Sequence, residues 1–373
     1  MKGKHTAERA NPPLVDLDGW TFGQYSLGVP PHPPVCCAVP THILQRLARA
    51  IDPGVSRRAL EALGFSAQAA KLRTELASLP PMPAPPSPNG SRYREVYDAR
   101  HESPARLPGR LVRSERERPL RDTAVNEAYL NSGHVYAFYR RIFGRNSLDG
   151  HGMVIRSSVH LSRRLNNAFW DGSQMVYGDG DGQIFVHLTR PIELVGHELT
   201  HGIIAHTSGL VYDGESGALN ESFGDVMGSL VKQWRRRQIA RRADWLMGRQ
   251  MMGPAVQARA LRTLTGRKAF EDDPLLGTDP QPKHYRDRIR IPDPDVAAHL
   301  NSGIPNHAFY LVATRLGGYA WTRAGAIWYE AMTTIPRRSG FRVAARLTAA
   351  IARRRFGTRV GRLVAEAWAD VGV

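Results

Sequence analysis

The clearest pattern along the chain is an apolar helical one from Pro191 to Gly209. There Ile192, Val195, Leu199 and Ile203 recur at the three- and four-residue steps of a buried helix. Pro191 suits the first turn of such a helix and Gly209 its stop. N-terminal to it the texture is mixed. Ile43, Leu44, Leu47 and Ile51 keep helical spacing up to a break at Asp52-Pro53-Gly54. A second helical pattern covers about Ser56 to Leu76, with an interruption expected at Gly64-Phe65. YREVYDARH and GRLVRSE alternate as strands do, Asp122 to Phe143 reads as a helix, and MVIRSSVHLS and QMVYGDGDGQIFVHL read as strands around turns. Beyond Glu215 the pattern is almost wholly helical: Ala218–Trp234, about Arg249–Leu264, His307–Leu316, Trp321–Met332 and Phe341–Arg354. The expected class is α+β, with an N-terminal β-rich α+β domain over residues 92–208 and a mainly α-helical domain over 209–373.

Two stretches lack periodicity. Residues 1–35 are rich in Pro, Gly and polar residues and read as extended or poorly ordered. Residues 78–91, SLPPMPAPPSPNGS, can neither form a helix nor pair in a sheet, so they read as a linker and the best domain boundary.

Composition narrows the class without naming it. The 373 residues, 42% hydrophobic and 23% charged, suit a soluble globular protein of two or three domains. No run is long and apolar enough for a membrane span, and the first 35 residues lack the apolar stretch of a secretory signal. The adjacent Cys36 and Cys37 exclude a disulfide framework and are expected as thiols. The net charge is +17, and six of the 51 basic residues are lysine (Lys2, Lys4, Lys71, Lys232, Lys268, Lys283), the rest arginine. Because these arginines are dispersed and no zinc-finger, RNA-recognition or basic-zipper pattern accompanies them, a nucleic-acid partner is not expected.

The central helix carries the chemistry. His197 and His201 lie one turn apart on one face and can aim two imidazoles at one metal ion, with Glu198 beside them. A catalytic zinc usually takes three protein ligands and keeps a position for water, and Glu221 on the following helix is the candidate third ligand. Asp225, four residues later on the same face, can hydrogen-bond the far nitrogen of a ligating imidazole. By itself HExxH is a weak signal, since two histidines on a helix can also be hydrogen-bonded core residues.

HELTH, the following GLVYDGESGALNESFGD, the upstream NNAFWDGSQMVYGDGDG and the downstream HLNSGIPNHAFY together resemble the thermolysin family of zinc metallopeptidases, from about Tyr93 to the C-terminus. The resemblance implies a two-domain metalloendopeptidase with the HExxH helix at the floor of the cleft. One catalytic zinc would be held by His197, His201 and Glu221, with Glu198 as general base and His299 and Tyr212 stabilising the oxyanion. Arg262 would grip a substrate carbonyl, and Asn167 and the Ala168 backbone would align the substrate as an added strand. Phe185, Leu188, Leu194, Met247 and Leu261 would line the pocket after the scissile bond, implying a preference for a hydrophobic residue there. The N-terminal region resembles the short propeptide of the protealysin-like branch, with Val39-Pro40-Thr41-His42-Ile43-Leu44 as its motif and Thr41 in place of a second proline. Residues 1–77 would then be an intramolecular inhibitor and the enzyme a monomeric zymogen, secreted as the family is, with unconventional export or cytoplasmic action as the alternatives to classical secretion. A thiol from Cys36 or Cys37 is a candidate occupant of the open zinc position.

Departures from the pattern sharpen two expectations. Before His299 the chain reads Asp293-Pro294-Asp295-Val296-Ala297-Ala298, so either Asp293 or Asp295 orients the histidine. Where the family can carry a double calcium site this chain has Glu193 and Asp244, but Lys232, Leu246 and Arg249 replace other ligands, so that site is expected to be absent. The alternatives are another zinc hydrolase, such as an aminopeptidase, and an arginine-rich binding protein that keeps the fold without catalysis.

Overall fold

The computed structural model describes residues 37–78, 87, 88 and 90–373. Expectations for residues 1–35, for Cys36 and for most of the Pro-rich segment lie outside the described residues. An N-terminal sheet domain and a C-terminal helical domain flank the His/Glu cluster, as the pattern implied.

Five strands form the larger sheet, in the order β2-β1-β3-β5-β4: β1 (Arg94–Asp98), β2 (Arg110–Ser114), β3 (Ile155–Val159), β4 (Ala168–Trp170) and β5 (Met175–Tyr177). β1, β3 and β5 run parallel, while β2 and β4 are antiparallel edges. β4 lies at the sheet's edge, a position from which a strand can accept another. Behind the sheet packs α3 (Thr123–Phe143). It is started by Asp122, whose side chain accepts from Val125 N, and stopped by Gly144 in the left-handed conformation at φ 72°.

The expected central helix is α4 (Ile192–Ala205), and it is buried from Ile192 to Ile204, as a helix apolar nearly all round must be. Beside it runs α5 (Gly214–Arg236). Their crossing is close because two glycines face α4. A Cβ on Gly228 would come within 2.1 Å of the Glu193 carbonyl oxygen, and one on Gly224 within 2.7 Å of His197 Nδ1. The remaining helices are α6 (Pro294–Asn301), α7 (Gly303–Leu316), α8 (Arg323–Thr334), α9 (Phe341–Phe356) and α10 (Thr358–Asp370). Trp328 and Trp368 stack 6.2 Å apart between α8 and α10.

Three local expectations are corrected. The N-terminal helices are α1 (Thr41–Leu47) and α2 (Pro53–Ser78), and α2 passes through Gly64 without a break. A mid-helix glycine loses only about 1 kcal/mol, and the burial of Ala59, Ala62 and Ser66 opposes that loss. Residues 249–264 are not a helix. β6 (Leu246–Met247) pairs antiparallel with β7 (Arg262–Thr263), and Gly253-Pro254 lies between them, where a helix would break. The IFVHL stretch is not a strand and makes one isolated bridge, Phe185 to Met252.

Candidate active site

Helix α4 supplies His197, Glu198 and His201, and α5 supplies Glu221 one helix away. His197 Nε2 and His201 Nε2 lie 3.0 Å apart. Glu221 Oε2 is 3.4 Å from the first, and Glu221 Oε1 is 3.8 Å from the second. All three side chains are buried, and their ligand atoms lie within 4.8 Å of one another.

Each imidazole is held from behind. His197 Nδ1 donates to Asp225 Oδ1 at 2.9 Å, and His201 Nδ1 donates to Asn220 Oδ1 at 2.7 Å. With both Nδ1 protons committed to oxygen acceptors, both Nε2 lone pairs face the same point as the Glu221 carboxylate. That donor set, two neutral imidazoles and one carboxylate, fits zinc. A zinc-binding His/His/Glu site is therefore present. The role of Asp225 behind His197 follows from spacing, whereas that of Asn220 was missed. Its signal was its place directly before Glu221 and one turn before Gly224, the glycine that faces His197.

The electrostatics call for a cation. Burial would lower the pKa of His197, but Asp225 and Glu221 outweigh it and push it up to about 9. Burial would raise Glu221, yet His299 and His197 hold it well below the usual carboxylate range. Asp225 is likewise held far down by Arg262 and His197 against the effect of burial.

Glu198 is fully buried, and its Oε2 accepts the backbone N–H of Trp170, at the end of β4, at 3.1 Å. The edge strand therefore sets the direction of the candidate base. Tyr212 donates its hydroxyl to Glu221 Oε1, and its ring stands 6.4 Å from that of His299. His299 Nε2 lies 3.4 Å from Glu221 Oε2. Of the two carboxylates considered for orienting it, the structure picks Asp295: its carbonyl oxygen is 2.9 Å and its Oδ1 3.4 Å from His299 Nδ1. Asp293 instead caps α6, accepting from Asp295 N and Val296 N. Burial would lower the His299 pKa, but Glu221 and Asp295 bring it up to about 10.

Arg262, on β7, is buried and engages Asp225 through two nitrogens: Nε to Oδ2 at 2.8 Å and Nη2 to Oδ1 at 2.7 Å. His197, Asp225 and Arg262 thus form one chain. Leu194 and Leu261 close around Gly248, and Leu261 N bonds Met247 O at 2.9 Å. Phe185 and Leu188 are also buried in the surrounding core.

The edge of β4 is already paired. Ala38 N donates to Ala168 O at 2.8 Å, and Cys37 forms an antiparallel bridge with Phe169. Asn167 Oδ1 accepts Val39 N at 3.3 Å, and its Nδ2 donates to Ser66 Oγ on α2 at 2.9 Å. The first helix continues this contact: His42 is buried within electrostatic reach of His299 and Arg262. Gln45 Nε2 reaches Asp293 Oδ2 at 3.3 Å, and Arg58 pairs with Asp181 at 3.1 Å. The Cys37 thiol does not act as a zinc ligand in this arrangement. It donates to Ser66 Oγ at 3.3 Å, and burial pushes its pKa up, so it stays protonated.

Lys232 fills the space between carboxylates near α4. Its ammonium donates to Asp244 Oδ1 at 2.6 Å and to the Leu246 carbonyl, and lies 3.7 Å from Glu193 Oε1.

Comparison with known proteins places these features. Residues 88–205 match the catalytic domain of thermolysin metallopeptidases, and residues 208–373 match their α-helical domain. An extracellular metalloprotease of Pectobacterium carotovorum subsp. carotovorum is 41% identical over 346 residues, which is 91% of this chain and 97% of that one. Protease PrtS of Photorhabdus sp. (strain Az29) is 42% identical over 285 residues, 75% of this chain and 76% of the relative. The precursor of protealysin, a metalloproteinase from Serratia proteamaculans, superposes with a TM-score of 0.82 at 40% identity, covering 91% of this chain and 99% of its own.

Proposed function

This chain belongs to the thermolysin family of metallopeptidases and is a zinc metalloendopeptidase, and from that premise we propose that it is made as a zymogen and cleaves internal peptide bonds with Glu198 as general base. The observation that carries the mechanism is the position of Glu198: buried, one residue from ligand His197, and aimed by the Trp170 N–H. His197, His201 and Glu221 would hold the ion. A bound zinc ion supplies Lewis acidity, polarising the scissile carbonyl and lowering the pKa of water. Glu198 takes the proton of the attacking water and passes it to the leaving nitrogen. Tyr212 and protonated His299 donate to the oxyanion as charge develops there. Arg262 keeps Asp225 ionised behind His197 and presents its guanidinium to a substrate carbonyl. The Ala168 backbone and Asn167 pair with the substrate main chain, and Leu194, Leu261, Met247, Phe185 and Leu188 favour a hydrophobic residue after the cleaved bond.

Residues 1–77 act as the propeptide in this reading. Support comes from the pairing of Ala38 and Val39 with Ala168 and Asn167, the positions a substrate strand would use. The two family models begin only at residue 88, whereas the likeness to the protealysin precursor covers 91% of the chain and so reaches into the N-terminal segment. Latency follows from occupancy: a strand already added to β4 excludes a peptide. Removal of residues 1–77 is expected to raise casein cleavage, and the isolated segment added back should suppress it. Cleavage by the full-length chain equal to that of the processed one would end the zymogen reading. Action outside the cell is the expectation that the extracellular Pectobacterium relative supports.

Zinc is the one metal the mechanism needs. The Lys232 ammonium supplies positive charge between Glu193 and Asp244, where a calcium ion would need those same oxygens. Titration calorimetry is expected to find no tight calcium binding at this locus; tight binding that is lost when Glu193 and Asp244 are replaced would contradict this.

A further inference from the structure

A second cluster of metal-ligating side chains stands apart from the catalytic centre, at the end of the sheet where β1, β3 and β5 finish. His101 follows β1, His160 follows β3, and Asp179 follows β5 in the loop Gly178-Asp179-Gly180-Asp181-Gly182. Their ligand atoms lie within 4.8 Å of one another. His160 Nδ1 is 2.7 Å from Asp179 Oδ1, and His101 Nδ1 is 3.6 Å from Asp179 Oδ2. Donor atoms about 2 Å from a tetrahedral zinc ion stand about 3.3 Å apart, and these spacings bracket that value. The backbone is bent to present the two rings: His101 has φ 58° and His160 φ 59°, left-handed conformations uncommon outside glycine.

Behind His160 is the same support seen behind His197. Its Nε2 meets Asp122 Oδ2 at 2.9 Å, so a carboxylate backs the far nitrogen of the ring while the near one faces the cluster. A simple ion pair explains His160 between two carboxylates. It does not explain a second imidazole turned to the same Asp179 carboxylate. The two rings face the two oxygens of one carboxylate, and two imidazoles with one carboxylate make a donor set that a cation can share.

We propose that His101, His160 and Asp179 form a second metal site, for a borderline divalent cation of the zinc type, with water completing the coordination. Imidazole nitrogen in two of three positions selects such an ion over calcium or magnesium. On binding, His160 Nδ1 gives up the proton it shares with Asp179 and keeps the one it donates to Asp122. His101 exchanges its present contact, Ser162 O at 3.2 Å, for the ion. Its side chain is 37% exposed and that of Asp179 32%, so the site opens to solvent and takes up metal without unfolding. The ion would add a side-chain link among three segments that main-chain bonds, such as His101 N to His160 O at 2.8 Å, already join. One of them carries Asp181, which pairs with Arg58 of α2 and whose N–H donates to Asn166 Oδ1 beside the β4 edge.

The test counts zinc rather than activity. Full-length protein is dialysed against micromolar free zinc, and bound metal is measured by elemental analysis. Wild type should hold close to two zinc ions per chain, and His101→Ala and Asp179→Asn close to one, with the catalytic ion retained. His201→Ala, which disables the catalytic site, should keep the other ion, and adding His101→Ala should remove it. One ion in wild type, or equal counts in wild type and His101→Ala, would overturn the proposal. The wild type against His101→Ala comparison stands on its own if His201→Ala fails to fold.

Discussion

Asp225 touches three partners at once. It accepts from His197 Nδ1 and from two nitrogens of Arg262, and its Oδ2 also accepts Asn306 Nδ2 at 2.8 Å. Replacing it with Asn removes the negative charge opposite a buried guanidinium and weakens the hold on the ligand ring. Such a change behind a ligating histidine lowers metal affinity roughly 10–100-fold. For Asp225→Asn we expect a loss of that size in competition with a zinc chelator, and wild-type affinity would show that Asp225 is only packing. At Lys232 the argument is electrostatic as well. Lys232→Met leaves Glu193 buried beside an ionised Asp244, and loss of one partner from a buried charged set destabilises by about 3–5 kcal/mol. Urea unfolding checks this, and a change under about 0.5 kcal/mol would mean the site relaxes by admitting water.

At the scale of elements, the site depends on how closely α4 and α5 cross. Gly228 lets α5 sit against the Glu193 carbonyl, and that contact brings Glu221 and Asp225 to His197. Gly228→Ala drives a methyl into backbone, which cannot rotate away. We expect a loss of about 1–3 kcal/mol, read as a lower melting temperature, with reduced zinc content. Unchanged stability would show that the crossing is not set by this contact. The HELTH spacing and the Glu221–Asp225 pair were legible in the sequence because both sit on single helices, where period alone fixes the face. What Gly224 and Gly228 do was not legible, since a glycine's purpose depends on the helix it meets. Residues 249–264 were misread as helix for a related reason. Leu246, Met247, Arg262 and Thr263 pair across a gap in sequence, and that pairing outweighs the local pattern. The ring of Phe185 likewise belongs to the core without its segment being a strand.

Taken whole, the molecule brings the N-terminal segment, the proposed base and the ligand set into sequence around β4. Cys37 to Val39 lie along β4, whose last residue holds Glu198, whose neighbour His197 ligates. The family resemblance implied an inhibitory N-terminal segment, but its pairing with the sheet was not anticipated. Residues 37–39 carry no alternation that marks a strand, and Ala38 and Val39 meet the sheet through main-chain N–H donors. The arginine excess belongs to this scale too. Several arginines are spent inside the fold, as with Arg94 and Arg113, whose guanidinium carbons each lie 3.7 Å from the Tyr129 ring centre, and with Arg262. The central claim, a zinc endopeptidase working through Glu198, is tested most directly by assaying processed wild type and Glu198→Gln on casein, with bound zinc measured in both. The account predicts equal catalytic zinc and a variant slower by about 10²–10⁴-fold. Equal cleavage by the two proteins would contradict it.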